Sequence, residues 1–132
     1  MNKDIYVFPA VIKFDEKDYN VTFPDFEEII TYGESLEKAY FMAEDALKLC
    51  IFDLHEDGKE IPVASELEDI KSEENQIVTL VKADLKKIVR EYDNKAVKKT
   101  LTIPSWLNKE AERSRINFSQ VLKEALIKRL NL

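Results

Sequence analysis

Three sets of side chains in this 132-residue chain could do chemistry. The first is a run of carboxylates, Asp15, Asp18, Asp25, Glu27 and Glu28. Converged at short range, they could hold two metal ions for phosphodiester hydrolysis. They fall instead around predicted turns and strand ends, where acids simply stay solvated. The second set is His55 and Cys50. His55, the only histidine, stands at a predicted helix end, where the dipole favours a cation and a surface role is expected. Cys50 lies on the apolar face of that helix and reads as a buried structural thiol. No His or Cys cluster has metal-ligand spacing, so no catalytic residue, metal or cofactor is expected, and the chain does not read as an enzyme.

The third set is "AVKKTLTIPSWL", residues 96–107. Lys98, Thr100 and Thr102 fall on one face of a short strand, and Val97, Lys99, Leu101 and Ile103 on the other. Lysine can donate to the acceptors of guanine, and threonine offers a hydroxyl plus a methyl that can touch thymine. These are side chains suited to reading base edges. The competing explanation is that exposed threonine reflects only β-propensity, in a dimerisation module that never meets DNA.

Charge separates this basic stretch from the rest. The chain is acidic, at net −6. Residues 1–94 carry 11 Lys and Arg against 23 Asp and Glu, a net of −12, whereas residues 95–132 carry 9 against 3, a net of +6. Such a split implies two modules with different partners. A hydrophobic share of 45% with two Gly and four Pro is that of a globular chain. One cysteine cannot form an internal disulfide, and no apolar run is long enough for a bilayer or a signal peptide, so a cytoplasmic protein without membrane contact is expected.

The elements that must position these side chains follow from periodicity. "YVFPAVIKF" (6–14) is a nearly continuous apolar strand, "DEKD" a polar turn, and Tyr19, Val21 and Phe23 an alternating strand ended by Pro24. "EIITYG" reads as a third strand closed by Gly33. Ser35 is a helix N-cap, with Leu36, Ala39, Tyr40, Ala43, Leu47, Cys50, Ile51 and Leu54 at helical spacing and Gly58 as a left-handed cap. Tyr19 and Phe23 are core candidates. An acidic loop (61–75), a strand "QIVTLV" (76–81) and a short helix over 84–92 complete an α+β module of order β-β-β-α-β, with the helix on one face of an antiparallel-rich sheet. The boundary falls at about Asn94.

Residues 95–132 are too few for a core of their own. Units below roughly 40 residues usually need disulfides, metal or oligomerisation, and only the last remains. A lone strand has two bare edges, and the simplest partner is the same strand of a second copy across a two-fold axis. Pro104 stops the strand. Two helices follow, about 105–114 and 118–130, the second capped by Asn117 or Ser119. Leu101, Ile103, Leu107, Val121, Leu122 and Leu126 are the expected dimer core.

Strand, helix, helix with "KKTLTIP", "SWLNKEAE" and "INFSQVLKEAL" resembles the ribbon-helix-helix family of DNA-binding proteins. The resemblance implies a two-stranded ribbon in the major groove, reading bases through Lys98, Thr100 and Thr102. It also implies a phosphate clamp at Asn117, Phe118 and Ser119, where free N–H groups and the helix dipole favour an anion. Upstream, "FPAVIKFDEKDYNVTFPDF", "YGESLEKAYFMAEDALKL" and "EDGKEIPVAS" resemble the HicB antitoxin family, departing from it at "EEII", where a glycine-cysteine turn is usual. That resemblance implies a reduced ribonuclease-H-like module that covers the active site of a small basic HicA-like ribonuclease toxin. It further implies a C-terminal domain that represses its own operon by binding operator DNA as a homodimer, or as a tetramer of paired dimers. The alternative is a ligand-responsive ribbon-helix-helix repressor without a toxin partner.

Overall fold

The nearly unbroken apolar run after Ile5 forms β1 (Ile5–Phe14), a central strand of a four-stranded antiparallel sheet. The computed structural model describes residues 3–132. Strands β2 (Tyr19–Phe23), β3 (Phe26–Gly33) and β4 (Gln76–Asp84) complete the sheet in the order β3-β2-β1-β4. Asp15 and Asp18 close the first hairpin with two reciprocal 3.0 Å backbone hydrogen bonds. Strand β3 begins at Phe26, earlier than "EIITYG" suggested, because Phe26 pairs with Phe23 across the Pro24–Asp25 turn. The ladder then jumps to Thr22–Ile30, so that "EEI" bulges out of register.

One helix, α1 (Leu36–Glu56), covers one face of this sheet. Ser35 caps it by accepting from the Lys38 N–H at 3.2 Å. Gly58, at φ 66°, ends it in a left-handed turn, with its N–H bonded to the His55 carbonyl and that of Lys59 to the Leu54 carbonyl. Ala39, Ala43, Leu47 and Ile51 are buried. They meet Phe8, Ala10 and Ile12 of β1, Val21 of β2 and Val81 of β4. Phe8 packs edge to face on Phe26, with ring centroids 4.7 Å apart. Leu36, expected on the buried stripe, is half-exposed. Tyr19 is likewise only half-buried, whereas Phe23 is buried. After β4, Asp84 caps α2 (Leu85–Tyr92), and Ile88 closes the core beside α1.

The chain divides into two compact units, the first ending at Lys95 and the second spanning Ala96–Leu132. The second contains α3 (Ser105–Arg113) and α4 (Phe118–Arg129). Between them Arg115 takes φ 53°; its N–H bonds to the Glu112 carbonyl and the Ile116 N–H to the Ala111 carbonyl, completing the cap of α3. Residues 93–104 carry neither helix nor ladder. The strand expected over 97–103 is therefore unpaired in this single chain, because Ala96–Leu132 holds no second strand to pair with it. Among the described residues no helix is long and apolar enough to cross a membrane.

Gly33 is a point of close approach between strand and helix in the first unit. A Cβ there would lie 2.7 Å from both the Ala39 Cα and the Lys38 carbonyl carbon. The glycine is needed for close approach of strand and helix. Gly33→Ala must push α1 off the sheet and should destabilise the protein by about 1–3 kcal/mol, read as a lower denaturant midpoint at unchanged slope; an unchanged midpoint would refute the contact.

Candidate functional site

The carboxylates that could have formed a nuclease centre are separated by the fold into different tasks. Asp15 accepts from the Asp18 N–H (3.2 Å), the Lys17 N–H (3.4 Å) and Asn20 Nδ2 (2.6 Å). The Asp18 amide foremost, then Asn20, holds its carboxyl below the usual carboxylate range. Asp25 accepts from the Ser65 hydroxyl at 2.6 Å and from its N–H at 3.1 and 3.2 Å. It thereby pins the acidic loop to the β2–β3 turn. Glu28 accepts from Cys50 Sγ at 3.3 Å. Among the described residues no group of three or more His, Cys, Asp or Glu could hold a metal ion.

Cys50 is a correction to the sequence reading. It is half-buried rather than enclosed, because its helix position faces the seam between α1 and β3 and not the sheet. Burial first, then the hydrogen bond and charge of Glu28 and the charge of Asp53, push its thiol up to about 12. His55 is exposed in the last turn of α1.

Two grooves follow that seam. One, of about 350 Å³, is lined by Glu28, Ile30, Leu49, Cys50, Asp53 and Asp57, among others. The other, of about 440 Å³, is lined by Tyr32, Gly33, Glu34, Lys38, Phe41 and Met42. Periodicity along α1 missed them, since residues such as Phe41 and Leu49 fall outside its buried stripe and read simply as surface.

In the second unit the predicted base-reading side chains Lys98, Thr100 and Thr102 are exposed. At the start of α4 the Asn117 side chain accepts from the Gln120 N–H at 3.1 Å. Asn117 is thus the cap, not Ser119. The N–H groups of Phe118 and Ser119 have no acceptor in the described chain, as expected of a first helical turn. No residue of Ala96–Leu132 is buried. Leu101, Ile103, Leu107, Val121 and Leu126 are each more than two-fifths exposed, and Leu122 is half-buried.

Comparison with known proteins follows the same outline. A family model described as "HicB_like antitoxin of bacterial toxin-antitoxin system" matches residues 8–126. Antitoxin HicB 2 of Photorhabdus laumondii is 42% identical over 59 residues, 44% of this chain. That alignment spans only 42% of the length of this curated relative. A chain from the "Toxin-Antitoxin complex from Streptococcus pneumoniae" is 27% identical at a TM-score of 0.62, covering 95% of this chain and 99% of its own. The antitoxin HicB3 crystal structure is 26% identical at a TM-score of 0.53, covering 94% and 97%. The Burkholderia pseudomallei antitoxin HicB, at 22% identity and a TM-score of 0.55, covers 95% and 98% and shares the α+β fold.

The Cys50 environment makes a measurable claim. At pH 8 its thiolate fraction should be roughly 10⁻⁴, against about a quarter for an ordinary cysteine, so alkylation should be about 10³-fold slower. The rate should keep climbing with pH toward 12, and Glu28→Gln should raise it at every pH below that. A plateau between pH 8 and 9 in iodoacetamide kinetics would contradict the assignment.

Proposed function

We propose a division of labour for this chain, which belongs to the HicB-like antitoxin family of bacterial toxin-antitoxin systems: the first unit neutralises a small basic ribonuclease toxin, and the second represses the operon that encodes both. It acts as a regulator and not as an enzyme. The observation that carries the proposal is that charge and burial change together at the boundary between the units. Up to Lys95 the chain is acidic and has a core; counted by these units the net charges are −11 and +5. An acidic surface attracts a basic partner, speeds encounter and competes with RNA phosphates for the same cationic surface. The same field would repel DNA, so the DNA reader is a separate basic unit.

That unit lacks any buried side chain of its own. Its exposed Leu101, Ile103, Leu107, Val121 and Leu126, with Leu122, would form a core when two copies pair through residues 97–103. The paired ribbon presents Lys98, Thr100 and Thr102 of each copy to the major groove. Asn117, Phe118 and Ser119 then seat a phosphate on the free N–H groups of α4, which sets register without reading sequence.

Thr100→Ala with Thr102→Ala should weaken operator binding at least about tenfold, roughly 1.4 kcal/mol, while toxin inhibition stays at the wild-type level. Gel-shift titration beside an RNA-cleavage assay reads both. Parallel loss of the two activities would contradict separate units. Operator affinity of the unaltered protein should also fall steeply with salt, the logarithmic slope gaining about 0.9 per phosphate neutralised. A flat response would argue against a ribbon in the groove.

A further inference from the structure

Along the seam between β3 and α1 the first unit is unfinished in three ways. Strand β3 is an edge of the sheet. Among the described residues none of its backbone groups bonds to anything beyond the ladder with β2. Edges of this kind are templates for another strand. On the α1 side of that edge Phe41 is 61% exposed and Leu49 52%; Ile30, paired with Thr22, belongs to the other face of the sheet. Single exposed apolar residues need no explanation, but Phe41 and Leu49 line two grooves in succession along one seam and make a patch. The rim is acidic: Glu28, Asp53 and Asp57 border one groove, while Glu34 borders the other opposite a single cation, Lys38.

The opposite face of the sheet differs. Val7, Ile30 and Leu80 are exposed there, but alongside Lys13 and Lys82. Both faces offer apolar surface, and charge distinguishes them. A cationic partner is drawn to the seam and away from the lysines.

We propose that the edge of β3 receives a strand of the toxin with alternating apolar and basic side chains, which extends the sheet and lays every second side chain over the outward surface of α1. This rests on the reading that the first unit is the toxin-binding one. Main-chain hydrogen bonds to β3 supply affinity, and the grooves supply selectivity for alternate side chains. Apolar side chains pack on Phe41 and Leu49, and basic ones meet Glu28, Asp53 and Asp57.

The test uses the full chain and, as probe, the small basic protein encoded beside it, inactivated so that it can be purified. Calorimetric titration compares the unaltered chain with Leu49→Asp and Asp53→Lys, both at exposed positions, and with Leu80→Asp and Lys82→Glu on the opposite face. Each seam variant should bind at least tenfold more weakly with its melting temperature unchanged, while the opposite-face variants bind as the unaltered chain does. Hydrogen exchange of the β3 amides should slow in the complex. Full binding by the seam variants, loss on the opposite-face variants, or a complex without added β3 protection overturns the proposal. A changed oligomeric state on Leu49→Asp, read by ultracentrifugation, assigns the seam to a second copy and overturns it as well. If the unaltered chain fails to bind the probe, the functional reading fails and this inference with it; binding that ignores the seam variants sinks the inference alone.

Discussion

The first unit depends on α1 lying close against one face of the sheet. Small residues make the approach possible. Ala39 and Ala43 let the helix backbone come near, and Gly33 leaves no Cβ where the strand end meets the helix's first turn. Leu47 and Ile51 then reach Phe8, Ile12, Val21 and Val81 as one continuous core. Burying a side chain such as Leu47 contributes about 1.5–3 kcal/mol relative to leaving it exposed. A wider residue at position 33 or 39 would open this interface along its length, because the contacts share one helix axis.

That same packing decides what is left over. A single helix covers a single face, so the second face of the sheet and both edge strands stay open. The helix also leaves its far side in solvent, which creates the α1–β3 seam. In the second unit no residue is buried, so nothing within a single copy draws its apolar side chains together. One unit carries its stability within the protomer, and the other lacks the means to do so. The boundary between them is also where the charge changes sign. Acidic and basic surfaces held in separate units can engage oppositely charged macromolecules without cancelling each other's field.

Much of this was legible in the residues. The alternation of Tyr19, Val21 and Phe23, the cap at Ser35, the left-handed Gly58 and the 39-43-47-51 stripe all report local geometry, and local geometry is written in neighbouring residues. The cap of α4 was legible only as Asn117 or Ser119, and the structure selects Asn117. Leu36 and Cys50 were misjudged because helical spacing tells which side of a helix a residue is on, but not what lies against that side. The strand over 97–103 has the right pattern, yet a ladder needs a second strand, and Ala96–Leu132 does not contain one.

The sequence by itself therefore determined the elements, their caps, the apolar stripe of α1, the charge split and the shortage of core-forming length after Lys95. Each of these depends on residue type and on spacing within a few turns. Only the tertiary structure decided that Gly33 serves a close contact, that Asp25 binds Ser65 forty positions away, and that Glu28 faces Cys50. It alone placed the edge of β3 beside Leu49 to form the seam. Periodicity describes one element at a time, whereas these pairings depend on how elements distant in the chain are stacked, and that is settled by the packing of α1 on the sheet.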